Sequence, residues 1–228
     1  DEVLRNLDER LKYLRNLEER KNQVIASIAE QEKLTPELER SIRDAQTLVA
    51  VEDLYRPYKP KRRTRAMIAK EKGLEPLADL ISMQMVKEPL LQAAAAYISQ
   101  EKGVETAEDA IQGAKDILAE RISDNAEYRT YIRNATMNKG VVQSSAKDEK
   151  AQSVYEMYYN YEEPVKKCAG HRILALNRGE NEKILTVKIA APEDQILMYL
   201  EKQTIVRDNP HTTPVLKEAA ADSYQRLI

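Results

Sequence analysis

YRPYKPKRRTRAMIAKEKGLEPLA, residues 55–78, separates two helical patterns and sets the boundaries of both. Pro57 and Pro60 remove two backbone donors and push the residues before them away from helical geometry, so the preceding helix is expected to end near Tyr55. The stretch after that helix reads as an extended, exposed connection pinned to the protein body by Tyr55 and Tyr58. Beyond it, Gly73 precedes Leu74, Leu77, Ile81 and Met85 at helical spacing, with Pro76 tolerated in the first turn. Between Tyr55 and Lys72 stand Arg56, Lys59, Lys61, Arg62, Arg63, Arg65, Lys70 and Lys72 against Glu71 alone, a local charge of +7. The whole chain sums to -2, so the remainder carries -9. Such segregation marks a chain that meets a polyanion, because clustered guanidinium and ammonium groups displace counterions from phosphates.

Arg56, Lys59, Lys61, Arg62, Arg63 and Arg65 are therefore the candidate nucleic-acid contacts. Charge at this level selects phosphate and carries no base preference. A second reading of the same residues is structural: the arginines cap helix C-termini and pair with nearby acids, holding helical layers together. Tyr55 and Tyr58 are likewise either base-stacking platforms or packing anchors.

Upstream, Leu4, Leu7, Leu11 and Leu14 recur at spacings of three and four on one helix face, after which the seam shifts to Leu17, Val24 and Ile28. A helix of some thirty residues reaches roughly 45 Å, and two regular heptads leave a coiled-coil dimer as the alternative to packing on changing partners. Thr35 before Pro36 is a helix start, with Leu38, Ile42, Ala45 and Val49 as the buried stripe of a helix running to Tyr55. Downstream, Thr106 and Asp109 read as a capping box opening a helix with Ala107, Ile111, Ala114, Leu118 and Ile122 inward. The small residues Ala110, Gly113 and Ala114 invite close approach by a neighbouring helix.

From Asp124 to about 190 the pattern predicts a helix-turn-helix-like module. Tyr128, Tyr131, Ile132 and Ala135 form the inner face of its first helix, and Asn138, Lys139 and Gly140 supply the turn. Val154, Tyr155, Tyr158 and Tyr161 make an aromatic core stripe before Pro164. His171 reads as a hydrogen-bonded core residue opening a buried helix through Ile173, Leu174 and Leu176 that ends at Gly179. Leu185, Val187 and Ile189 alternate as a short strand. Helices beginning near Pro192 and Pro214 finish the chain.

Five stretches carry a family resemblance in order and spacing: LKYLRNLEERKNQVIASIAEQEKLTPEL (11–38), the basic segment 55–78, EDAIQGAKDILAERISDNAEYRTYIR (108–133), VYEMYYNYEEPV (154–165) and HRILALNRGENEKIL (171–185). Together they resemble the bacterial Tex family, transcription accessory proteins related to a eukaryotic transcription elongation factor, over nearly the entire chain. The resemblance implies that this is an N-terminal fragment of a longer protein that continues into an RNase-H-like domain, helix-hairpin-helix elements and an oligonucleotide-binding-fold domain. It also implies a helix-turn-helix module near 124–190. The final helix from Pro214, expected to lead toward the RNase-H-like domain, should then pack poorly or protrude.

The expected organisation is mainly α: a helical scaffold over 1–123, the helix-turn-helix-like module over 124–190 with at most one short strand or hairpin, and a helical return segment over 191–228. The single cysteine, Cys168, excludes an internal disulfide, and with only His171 and His211 beside it no structural zinc site is expected. No cofactor, no metal and no catalytic residues are expected, because the chain has no phosphate-cradling glycine loop, nucleophile elbow or metal-binding helix pair. It has neither an apolar run long enough to span a bilayer nor a signal peptide, so a cytoplasmic location is expected. The expected partners are RNA or DNA, bound weakly and without sequence preference, the transcription machinery, and the C-terminal domains of its own longer chain. The competing expectation is a purely structural module whose basic loop packs against those domains.

Overall fold

A computed structural model describes residues 1–228 as two compact units. The first comprises Asp1–Arg129 together with Glu201–Ile228, and the second Thr130–Leu200. No helix is long and apolar enough to cross a membrane.

The first unit opens with α1 (Glu2–Glu30), one continuous helix. Its shifting seam divides it into two parts. Leu17, Val24, Ile25 and Ile28 are buried, and with Ile42, Val51 and Tyr55 they form one core, whereas Leu4, Leu7, Leu11 and Leu14 are 41–66% exposed. Two helices come next where one was expected: α2 (Pro36–Asp44) and α3 (Leu48–Tyr55). Thr35 Oγ1 accepts from Leu38 N at 3.1 Å as the sequence predicts, and Thr47 Oγ1 does the same for Ala50 N at 3.1 Å. That second cap restarts the chain after a break and leaves Val49 exposed. Lys21, buried in α1, donates to the Arg43 carbonyl at 2.7 Å, placing a cation on the orphan C-terminal carbonyls of α2.

Arg20 and Glu52 tie α1 to α3 at 2.6 Å, and the hydrogen bond from Arg20 holds the Glu52 carboxyl below its ordinary value. A depressed carboxylate contributes stability above its unfolded pKa that disappears as pH falls through the folded one. Thermal melts from pH 7 down through the acid range should therefore show the wild type losing more stability than Glu52→Gln; parallel pH profiles would remove this contribution.

Around the central helix α7 (Ala107–Asp124) pack α4 (Arg65–Glu71), α5 (Glu75–Met83), α6 (Leu90–Ala95) and α11 (Thr213–Asp222). Thr106 caps α7 by accepting from Asp109 N at 3.1 Å. The expected close approach falls at Gly113, where an added Cβ would lie 2.3 Å from Leu74 Cδ1 and 3.3 Å from Ala69 Cβ. Leu74 is itself buried, so Gly113→Ala should destabilise the chain by about 2 kcal/mol through overpacking. Urea unfolding checks this, and a neutral variant would show that Leu74 has room to move. The last helix does not protrude. Leu216, Ala219 and Ala220 of α11 are buried and the helix packs on α7, because its alanines permit close contact.

α8 (Ala126–Lys139) carries the chain into the second unit and ends at the anticipated turn, where Gly140 N donates to Thr136 O at 2.7 Å and that carbonyl leaves no room for a Cβ. No second helix succeeds it directly, which corrects the helix-turn-helix expectation. The chain instead enters β1 (Val141–Ala146), the centre of an antiparallel sheet in the order β2-β1-β3 with β2 (Asn160–Pro164) and β3 (Leu185–Ala190). The fold is mainly α, but the sheet exceeds the single strand or hairpin expected. β1 reads VVQSSA and β2 reads NYEEP, with too few apolar residues to announce a strand in advance.

Val142, Tyr155, Tyr158, Leu176 and Leu185 form the core of this unit, with Tyr161 against Tyr158 edge to face at 5.1 Å. Val154, expected in that stripe, is 85% exposed. His171 lies exposed near the start of α9 (Gly170–Asn181), so it is not a core residue, and Ile173 and Leu174 also face outward. Gly179 does not end α9. It lies inside the helix, where Leu185 Cδ1 would sit 2.5 Å from an added Cβ. α10 (Glu193–Thr204) then leads back to the first unit.

Candidate functional site

Five of the six candidate cations occupy the connection between α3 and α4 and the sixth, Arg65, opens α4; the fold divides them into two sets. The segment begins as a turn, with Tyr58 N and Lys59 N both donating to the Tyr55 carbonyl, and straightens at the prolines. Tyr55 is buried in the α1–α3 core and its hydroxyl meets Ser27 Oγ at 2.9 Å; Tyr58 packs partly buried against the same core. Both tyrosines are anchors with their rings engaged, Tyr55 lying beneath the Arg20 guanidinium at 5.4 Å.

One set turns inward. Arg56 Nε donates to Asp124 Oδ1 at 3.2 Å, and Lys61 Nζ bonds the other oxygen of the same carboxylate and lies 3.7 Å from Glu120 Oε1. Asp124 and Glu120 are 14% and 16% exposed, so this cluster is largely withdrawn from water. Asp124 is the last residue of α7, where the helix dipole disfavours an anion. Two cations from the connection reverse that penalty. Arg56 Nη2 also reaches the Leu227 carbonyl at 3.5 Å, which Arg129 Nη2 approaches at 3.1 Å, so the connection, the end of α7 and the final turn share one network.

The other set faces outward. Lys59, Arg62, Arg63 and Arg65 are exposed. Arg62 has no hydrogen-bonding or ion-pair partner, and Arg63 pairs with Glu71 at 2.7 Å with both side chains more than half exposed. A pair so hydrated is weak and exchanges readily for another anion. Arg65, next to the α4 N-cap Thr64, adds its field to that of Arg226 in favouring the carboxylates of Asp116 and Asp222. Arg226 holds the Asp222 carboxyl below its ordinary value by hydrogen bonding, while burial pushes the Asp116 carboxyl up.

A cleft of about 320 Å³ lies under the connection, lined by Pro57, Lys70, Ile117, Glu120, Arg121, Asp124 and Asn125. Its mixed charge offers no nucleophile or activated base. No group of three or more His, Cys, Asp and Glu is placed to hold a metal ion. The sequence pattern marks the cations but not their inward partners Asp124 and Glu120, because Asp124 stands 63 residues from Lys61 among many other acids.

Comparison with known proteins gives these cations a setting. The model of the Tex central region-like family matches residues 87–224. The chain is 50% identical over 232 residues to the YdcI protein of Bacillus subtilis (strain 168), covering all of this chain and 32% of that protein. It is 43% identical over 196 residues to the tex protein of Bordetella pertussis, covering 85% of this chain and 25% of that protein. The S1 RNA-binding domain-containing protein 1 of Homo sapiens is 27% identical over 241 residues, covering 99% of this chain and 24% of that protein. The chain thus spans about a quarter to a third of the length of these relatives.

Proposed function

Because the chain belongs to the Tex family, we propose that it is the N-terminal scaffold and interaction region of a transcription accessory protein, and that its basic connection touches the phosphate backbone of nucleic acid. The observation that carries this reading is the division of the basic segment: Arg56 and Lys61 are consumed by Asp124 and Glu120, while Lys59, Arg62, Arg63 and Arg65 remain at the surface. The contacts to Asp124 and Glu120 need only the first set. Nothing in the arrangement distinguishes bases, so the contact is electrostatic and indifferent to sequence. It involves no catalytic step, takes place in the cytoplasm, and serves to position further domains of a longer chain against nucleic acid or the transcription machinery.

The inward ion pairs favour a second reading, in which the connection is a structural clasp alone. Titration of fluorescently labelled single-stranded RNA and duplex DNA of scrambled sequence, between about 50 and 200 mM salt, separates the two readings. Phosphate contact predicts weak binding that is equal across sequences and falls steeply as salt rises. Binding absent at the lowest salt, or unaffected by salt, leaves only the clasp.

A further inference from the structure

Residues 71–75 read Glu-Lys-Gly-Leu-Glu and residues 101–105 read Glu-Lys-Gly-Val-Glu, the same pattern thirty positions apart. The two copies meet in the fold. Gly73 follows α4 with φ +76°, its N–H donating to Lys70 O, and Gly103 closes a tight turn with φ +77°, bracketed by the Ser99–Val104 bridge. These left-handed positions suit glycine, and each turn presents the lysine that precedes it. Leu74 and Val104, the apolar residues after the glycines, are both 1% exposed and anchor the two turns. Each lysine lies across the other copy's glycine: Lys102 Nζ is 3.2 Å from where a Gly73 Cβ would stand, and Lys72 Cε is 3.7 Å from where a Gly103 Cβ would stand. An added Cβ at Gly73 would crowd the Lys102 ammonium, whereas at Gly103 it would meet Lys72 at ordinary contact distance.

Lys72 and Lys102 thus approach one junction from opposite turns, and neither takes part in an ion pair. An anion at this junction meets a cation from each turn. Resting on the nucleic-acid reading of the basic connection, we propose that the Lys72–Lys102 junction is a second phosphate-contact point, which takes a backbone phosphate of the strand that Arg62 and Arg63 engage. α4 separates the two points, and its seven residues rise about 10 Å, so a strand of several nucleotides reaches both. Glu105, Asp109 and Asp116 line the adjoining groove beside Arg65, Lys72 and Gly103, and their charge opposes a phosphate that enters it.

The test measures binding of a single-stranded RNA of about twelve nucleotides by fluorescence anisotropy, using the unaltered chain, Lys72→Glu with Lys102→Glu, Arg62→Glu with Arg63→Glu, and Glu105→Gln. The lysine pair variant should flatten the log–log salt slope by about 0.7 for each phosphate it no longer neutralises, and Glu105→Gln should tighten binding. Circular dichroism and the milder Lys72→Gln with Lys102→Gln variant control for folding. Unchanged affinity and slope in both folded lysine variants, with the arginine variant impaired, overturns this inference and leaves the proposed function standing. Absence of binding by the unaltered chain removes both. Inorganic phosphate at matched ionic strength should displace the RNA no better than chloride; preferential displacement identifies a free-phosphate site and overturns the assignment to backbone.

Discussion

Gln84→Leu should lower the unfolding free energy by about 3 kcal/mol, because it removes three part-buried side-chain hydrogen bonds worth about 1 kcal/mol each. Gln84 is 5% exposed and sits in left-handed geometry at the end of α5, with φ 55°. Its Oε1 accepts from Val206 N at 3.0 Å and Arg207 N at 3.1 Å, while its Nε2 donates to Thr204 O at 2.8 Å. Asn209 Nδ2 completes the latch by donating to the carbonyls of Gln84 at 3.3 Å and Val86 at 3.0 Å. One side chain thus secures the segment that returns from α10 to α11. Leucine is chosen because it shares the backbone strain of glutamine at this φ and removes only the hydrogen bonds. Urea denaturation measures the destabilisation, and hydrogen exchange at Val206 and Arg207 should accelerate first. A change under about 0.5 kcal/mol would mean that water replaces the amide without cost.

Lys61→Glu should cost a similar amount, about 3 kcal/mol, by placing a third carboxylate against Asp124 and Glu120 where little water reaches. Arg62→Glu, at the adjacent position but exposed and without a partner, should change stability by no more than about 0.5 kcal/mol. Asp124→Lys in the Lys61→Glu background should recover part of the stability, since the two residues couple directly. Equal effects at Lys61 and Arg62 would show that the connection is not divided into inward and outward sets.

The helices were legible where a local signal marked them. Thr35, Thr106, Pro36 and Pro76 each begin a helix as their chemistry predicts, and Gly113 admits Leu74 as its size allows. The signals that failed were those whose meaning depends on distant residues. Gly179 resembles a helix terminator but is small because Leu185 presses on it. β1 carries Ser144 and Ser145 in place of β-formers, and Ser144 is buried because its hydroxyl donates to the Tyr158 carbonyl at 2.6 Å. For the candidate site, local charge exposed all six cations, yet which of them are neutralised depended on where Asp124 and Glu120 arrive after α7 folds back. The Glu-Lys-Gly repeat lay open in the sequence, but only the crossing of its two copies gives it meaning.

The central claim is that the outward arginines meet phosphate while the inward cations hold the fold. The most direct measurement is the salt dependence of single-stranded RNA binding by Arg62→Glu with Arg63→Glu beside the unaltered chain, with melting temperatures recorded on the same samples. The predicted result is an unchanged melting temperature, weaker binding to every sequence, and a log–log salt slope flatter by about 1.4, the equivalent of two fewer single-strand phosphates neutralised. A variant that melts early while binding RNA with the same affinity and slope as the unaltered chain would contradict it.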